Sequence, residues 1–235
     1  MHGRMLLMNL EIARLCAQAH SIVAITGAGI STGSGLPTIT SKFGGRTLKE
    51  VFRGNSARRH VNEYQKFYDN MTRSWREASP NAAHQALAEH QVRVITQNID
   101  GLHQNAGSRH VIELHGTLRI QRCANCAHTR QTSPNLESQC PVCGGMMWPD
   151  IVLEGDRVRS LALACNWLTV ADLLLIIGTK LEMYPVNQFP LLALRNKTPV
   201  VVINEDAQKL VPLYFSMRTK SGPNSTLELP ARLFT

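Results

Sequence analysis

The sequence predicts an α/β protein, a doubly wound parallel sheet carrying a second, smaller domain. Four short aliphatic or β-branched runs, Ser21–Thr26, Val92–Thr96, Leu173–Ile177 and Val200–Ile203, have the length of buried parallel strands. Helical patterns separate them, and strands alternating with helices build a parallel sheet. Two stretches break the alternation: 36–79 is basic and helical in pattern with no clear strand, and 119–147 holds four of the six cysteines.

Along the chain, MHGRMLLMNLEIARLCAQAH opens with apolar residues interrupted by Asn9, Glu11 and Arg14, and no small-residue cleavage site follows. It reads as an amphipathic helix rather than a signal peptide, so the cytoplasm is the expected compartment. SIVAIT stops at Gly27, as a buried strand entering a turn should. The next helix, Pro80–Ala88, has Ser79 as its cap and Pro80 in the first helical position. Leu161–Leu168 and Val186–Leu194 are further helices, the second bent at Pro190. The tail from Lys220 (KSGPNSTLELP) is rich in turn residues. Both irregular stretches leave and rejoin the sheet, so the domains are discontinuous: 1–35, 80–118 and 148–235 form the larger one, 36–79 and 119–147 the smaller.

Hydrophobic content of 43% is enough for a buried core, and no apolar run approaches the ~20 residues of a membrane helix. The formal charge of +8 is scattered except in the segment 42–59. There Lys42, Arg46, Lys49, Arg53, Arg58 and Arg59 face only Glu50. Either a solvated helix face or anion contact explains this. The cluster lies away from the cysteines and lacks interleaved aromatics, so no nucleic-acid partner is expected.

Cys123-x-x-Cys126 and Cys140-x-x-Cys143 are separated by thirteen residues. Two loops that each present two thiolates suit tetrahedral zinc, and four protein ligands make a closed, structural site. Gly144-Gly145 permits a tight turn that aims backbone amides at sulfur. Two disulfides are the alternative, disfavoured by a cytoplasmic setting. Cys16 and Cys165 read as core thiols in helices.

Gly27-Ala28-Gly29 follows a strand, as in a dinucleotide turn, although Thr32 stands where a third glycine belongs. Glycines let backbone approach a pyrophosphate, and a helix N-terminus supplies amides and a positive dipole. A plain tight turn is the other reading. Polar residues gather after the second strand, in Thr96-Gln97-Asn98-Ile99-Asp100-Gly101-Leu102-His103, and again in Glu113-Leu114-His115-Gly116. The carboxyl end of a parallel strand is where such sheets bind ligands. Asn98 and Asp100 suit hydrogen bonds to an amide such as nicotinamide. His115, ahead of the cysteine module, falls at a domain junction and titrates in the range of a general base.

The order GAGIS, TQNIDGLH, ELHG, CxxC…CxxC, GTK-x-x-x-x-P and VVIN, over about residues 20–205, resembles the sirtuin family. The resemblance implies a large Rossmann-like domain and a smaller one of zinc ribbon plus helices. It implies one structural zinc, NAD as co-substrate, and an acyl-lysine peptide in the cleft between domains. It assigns Gly27, Ala28, Gly29 and Ile30 to the cofactor turn, and Gln97, Asn98 and Asp100 to the ribose and nicotinamide pocket. Gly178 and Thr179 would border phosphate and ribose, with Lys180 nearby, and Asn204 the adenosine side. His115 would be the base, with Asn98 and Asp100 orienting the reacting sugar and amide. The implied reaction breaks the nicotinamide–ribose bond, captures the anomeric carbon with the acyl oxygen, and ends in free lysine and O-acyl-ADP-ribose. The alternatives are protein ADP-ribosylation or NAD hydrolysis on the same scaffold, and a non-catalytic nucleic-acid-binding module.

Three departures from the family pattern accompany the resemblance. Thr38-Ile39-Thr40 replaces an Asp-Phe-Arg whose arginine touches the cofactor, and Lys42 or Arg46 is the expected substitute. Glu154, in Trp148-Pro149-Asp150-Ile151-Val152-Leu153-Glu154-Gly155-Asp156, replaces a phenylalanine that lines the acyl-lysine tunnel. A buried unpaired carboxylate costs several kcal/mol, so Glu154 must point away, take a proton or meet a cation. Lys180 replaces a serine and adds a cation near the expected phosphates.

Overall fold

Helix α1 (His2–Gln18) leads into strand β1 (Ile22–Thr26), which ends in a 3-10 turn over Ala28–Ser34. A hairpin of β2 (Lys42–Phe43) and β3 (Arg46–Thr47) follows, then α2 (Leu48–Val51) and α3 (Val61–Arg76). Next come α4 (Ala82–Glu89), β4 (Arg93–Thr96), α5 (Leu102–Asn105) and β5 (Val111–Glu113). Strands β6 (Gly116–Cys123), β7 (Thr129–Gln131) and β8 (Met147–Ile151) make a separate antiparallel sheet in the order β7-β6-β8. The chain continues through α6 (Leu161–Thr169), β9 (Leu173–Ile177), α7 (Phe189–Arg195), β10 (Val200–Ile203) and β11 (Met217–Thr219). This computed structural model describes residues 2–43, 45–54, 59–132, 138–204 and 217–219. Arg58 and the tail from Lys220 lie outside the described residues.

The main sheet runs β5-β4-β1-β9-β10-β11, every pairing parallel. Counting only its own strands, the order is 3-2-1-4-5-6, that of dinucleotide-binding folds, with the reversal between β1 and β9. Strand β9 shows why its sequence is apolar throughout. Leu174 and Ile176 pack with Leu168 and Phe189 on one face, while Leu173, Leu175 and Ile177 pack with Ile12 and Leu87 on the other. Helices cover both faces, so alternate residues have no polar side to meet. The doubly wound sheet expected from the sequence is the one observed.

Register brings the strand ends to one rim. Thr26 lies opposite both Thr96 and Ile177, Thr96 opposite Glu113, and Ile203 opposite Ile177. A third apolar cluster holds the 36–79 stretch: Leu48, Val51, Tyr64, Tyr68 and Met71 pack with Ile99, Leu102 and Leu118. No helix among the described residues is long and apolar enough to cross a membrane.

Several boundaries differ from the sequence reading. The 36–79 stretch does contain strands, the hairpin pairing Lys42 with Thr47 and Phe43 with Arg46. Two-residue strands are too short to display a period-2 pattern. Helix α4 is capped by Asn81, not Ser79: the Asn81 Oδ1 accepts from the backbone N–H of Ala83 at 3.0 Å and of His84 at 3.4 Å. Asn81→Ala would remove a cap worth about 1 kcal/mol. Pro190 bends nothing; it sits in the first turn of α7, where its missing N–H costs no hydrogen bond, and a 3-10 turn over Val186–Gln188 precedes it.

Candidate functional site

The crevice at the strand-order reversal is built by two glycines that touch. The Gly29 N–H donates to the Gly178 carbonyl at 2.8 Å, and the Gly27 N–H to the Ile177 carbonyl at 3.1 Å. A Cβ on Gly29 would meet the Gly178 Cα at 2.7 Å, and one on Gly178 (φ +62°) would collide with the Ile30 nitrogen. The glycines therefore serve first to let the β1 and β9 turns close on each other. The turn's third-glycine position is free for Thr32, whose hydroxyl donates to the Gly29 carbonyl at 2.9 Å.

Asn98 and Asp100 lean into this turn. The Asn98 amide donates to the Gly27 carbonyl at 3.2 Å and to the Ser31 hydroxyl at 3.1 Å. The Ser31 hydroxyl donates in turn to the Asp100 carboxylate at 2.7 Å, and the Leu102 N–H supplies a further bond at 2.9 Å. Burial raises the Asp100 pKa against the opposing pull of these donors. Gln97, Thr179 and Asn204 form a second chain across the rim. The Gln97 amide donates to the Thr179 hydroxyl at 2.7 Å, and the Asn204 amide to the Thr179 carbonyl. Lys180 is exposed at the head of the loop after β9.

His115 stands between the two sheets, immediately before β6. Its Nδ1 lies 3.0 Å from the Gln97 carbonyl oxygen. A carbonyl only accepts, so Nδ1 carries the proton and Nε2 keeps its lone pair. Burial lowers the His115 pKa, with the Gln97 bond opposing. The ring is a neutral, oriented base at neutral pH.

Behind the turn lies a pair of histidines that sequence reasoning did not single out. His84 and His103 are fully buried, with ring centroids 4.8 Å apart and edge to face. His103 Nε2 lies 2.9 Å from the Thr26 hydroxyl, and His84 Nε2 lies 3.5 Å from Ser31. Burial pushes their pKa values down to about 4 for His84 and about 3 for His103, so both are neutral. Ser31 within GAGIS and His103 within TQNIDGLH were visible as motif members. Nothing in the sequence indicated that His84, on a helix elsewhere, meets them.

The three departures resolve differently. Thr38-Ile39-Thr40 forms a hydroxyl-bonded turn, with Thr38 Oγ1 3.0 Å from Ser41 Oγ and 3.3 Å from Thr40 Oγ1. Of the two expected substitute cations, Arg46 pairs with Glu63 of α3 at 3.1 Å, and Lys42 is exposed. Glu154 is exposed, its backbone N–H bonded to the Phe52 carbonyl at 2.8 Å, so its carboxylate incurs no burial cost. Nearby, Asp150 of β8 ties Arg122 of β6 to Arg159 in the loop that follows β8. Burial opposes its charge, yet Arg159 and Arg122, at 2.6 and 2.8 Å, hold its carboxyl down to about 2.

The four cysteines converge, their Sγ atoms all within 4.8 Å of one another. Cys123 and Cys143 are 3.5 Å apart and Cys126 and Cys140 3.7 Å, far beyond a disulfide's ~2.05 Å. Backbone N–H groups of Cys126 and Asn125 pull the Cys123 thiol down to about 6. Four sulfurs with amide support fit one zinc ion, and no protein position is left for a substrate. Cys16 is a buried core thiol pushed up to about 11, whereas Cys165 is only half-buried.

Fold and site together define an α/β protein with the strand order of dinucleotide-binding folds, polar residues gathered at the rim of its sheet, and a four-cysteine module that begins at the end of β6. The Sir2 family profile matches residues 27–185, and this chain belongs to that family, the sirtuins. It is 36% identical over 209 residues to the NAD-dependent protein deacetylase of Sulfolobus acidocaldarius, spanning 83% of this chain and 82% of that one. It is 34% identical over 232 residues to the NAD-dependent protein deacylase of Pyrococcus furiosus, spanning 90% and 93%. A solved complex described as Sir2-p53 peptide-NAD+ superposes with a TM-score of 0.82 at 30% identity, covering 94% of this chain and 95% of that one.

Proposed function

We propose that this chain is an NAD-dependent protein lysine deacylase, releasing nicotinamide and O-acyl-ADP-ribose. The observation that carries this is His115: a half-buried, neutral imidazole whose Nδ1 proton is committed to Gln97, leaving Nε2 to take a proton. Bound NAD supplies an electrophilic anomeric carbon with nicotinamide as its leaving group. Gly27, Ala28, Gly29 and Ile30 form the close-packed turn against which the pyrophosphate lies, with Lys180 adding positive charge. Gln97, Asn98 and Asp100 hold the ribose and nicotinamide. Gly178, Thr179 and Asn204 border the phosphate and adenosine side.

The acylated substrate lies between two units, 1–35 with 80–118 and 148–235 as the larger, and 36–79 with 119–147 as the smaller. Zinc on Cys123, Cys126, Cys140 and Cys143 is structural. Free cysteines suit a reducing compartment, and we assign the cytoplasm, with neither nucleic acid nor membrane as partner.

The test is NAD turnover with a panel of acyl-lysine peptides, products read by mass spectrometry, beside His115→Ala. O-acyl-ADP-ribose lost in the variant supports the proposal. ADP-ribosylated protein, or free ADP-ribose without peptide dependence, would replace it with transfer or hydrolysis.

A further inference from the structure

The loop that carries Asn98 and Asp100 and the turn that carries His115 come from different segments, yet they must keep a fixed spacing. Gln97 and His115 are already joined at 3.0 Å. A relative shift of ~1 Å at such a site can cost about a hundredfold in rate. The backbone supplies two further ties, the Leu114 N–H to the Thr96 carbonyl and the Leu118 N–H to the Ile99 carbonyl, both at 2.9 Å.

A single side chain spans the same gap. Arg119 leaves β6 and reaches back toward Glu113, the last residue of β5, with its Nη2 3.7 Å from the Glu113 carboxylate. On the way its stem lies across Gly101. A Cβ on Gly101 would fall 2.5 Å from the Arg119 Cδ and 2.9 Å from its Nε, and Gly101 itself has φ +76°. Only glycine leaves room for that stem, and Gly101 is bonded directly to Asp100. The backbone of Arg119 is anchored on its far side, its carbonyl accepting from the Thr132 N–H at 2.7 Å.

Glu113 is a largely enclosed partner with support from both sides of the gap, Thr117 and Gln104 hydrogen-bonding its side chain. Its side chain is 16% exposed, and its Oε1 is buried without a hydrogen-bond partner. Burial raises its pKa, Arg119 and the hydrogen bonds from Thr117 and Gln104 pull it down, and the Asp100 charge pushes it up again. Arg119 therefore sets positive charge beside a half-buried carboxylate while its stem lies against the loop of Asp100.

We infer that Arg119 and Glu113 are positioning residues for the reaction at His115: an ion-paired staple across the 113–119 turn whose stem also fixes the Asp100 loop. This inference rests on the deacylase reading. The staple touches neither cofactor nor peptide; it acts through His115 and Asp100.

The experiment uses the zinc-loaded full chain and an acetyl-lysine peptide. Arg119→Met keeps most of the stem and removes the charge, Glu113→Gln removes the partner charge, and Arg119→Lys restores a cation. Each of the first two should lower kcat about tenfold while leaving the NAD KM within about twofold. Their combination should lose no more than either alone, since one interaction is removed. Arg119→Lys should recover most of kcat. Losses that multiply in the double variant, or a raised NAD KM at unchanged kcat, would overturn the staple.

A second readout needs no turnover. In ¹⁵N-histidine spectra the His115 Nδ1 resonance, assigned by its loss in His115→Ala, should move in Arg119→Met and Glu113→Gln and return in Arg119→Lys. A resonance unmoved in both would overturn the staple whatever the kinetics. If the wild-type chain deacylates no peptide, the functional reading fails, and these spectra still decide whether the staple orients His115.

Discussion

The Nδ1 proton of His115 is held by the carbonyl of Gln97 at 3.0 Å, so the segment bearing Asn98 and Asp100 also sets the tautomer of the base. Burial dominates over that bond and places the imidazole below its ordinary pKa. A base must be deprotonated to act. The acid limb of the kcat/KM profile should therefore fall below about pH 6.5, the unperturbed histidine value. His115→Ala should abolish that limb and lower peptide-dependent turnover by at least about a hundredfold, with thermal stability little changed. An acid limb above 6.5 would assign the titration to another group.

The pair His84 and His103 makes a prediction about stability. Their folded pKa values, about 4 and about 3, lie below that of an unfolded imidazole. From about pH 6.5 downward the unfolded chain binds protons that the folded chain refuses. Their contribution is complete above that pH and is lost as the pH falls toward the folded values. The slope is about 1.4 kcal/mol per pH unit for each histidine. Urea midpoints measured from pH 7 to 5 should show it, and His103→Gln should remove roughly half. Asp100 and Glu113 contribute equally to both proteins and cancel in the comparison.

Among the described residues the cysteine module has almost no apolar core of its own, since only Met147 joins Cys123 and Cys140 in its buried cluster. Metal must supply what packing does not. Elemental analysis should find one zinc per chain. Chelation should lower the melting temperature, as should Cys140→Ser. A chelated chain that melts unchanged would show that β7-β6-β8 stands without metal.

Lys42 and Arg46 stand on the hairpin that follows the hydroxyl turn at Thr38-Ile39-Thr40. The Arg46–Glu63 pair is half-exposed on both sides, and exposed pairs of this kind contribute well under about 1 kcal/mol. A pyrophosphate could draw Arg46 away at little cost. Alanine at both positions should raise the NAD KM several-fold with kcat nearly unchanged. An unaltered KM would leave Lys180 and the 27–30 turn as the phosphate-binding elements.

The parts of the fold legible in the sequence were those with strong periodicity or fixed spacing. β9 is an unbroken apolar run because both its faces are covered, and the paired CxxC loops converge as their spacing implied. Short elements were not legible: β5 has three residues and the β2–β3 hairpin two per strand, too few to carry a pattern. Within the site, Asn98, Asp100 and His115 stood out because polar residues cluster at strand ends. Ser31, His84 and His103 form one buried network only because three distant segments meet, and spacing along the chain carries no trace of that. The Glu154 conflict also needed coordinates, which show its backbone paired with Phe52 and the residue itself exposed.

The lean of Gly29 on Gly178 has a consequence for biosynthesis. The ribosome extrudes the N-terminal glycine turn long before the strand against which it must close. A nascent chain arrested ahead of β9 therefore carries the turn with no counterpart, and dinucleotide affinity should arise only after that strand has cleared the exit tunnel.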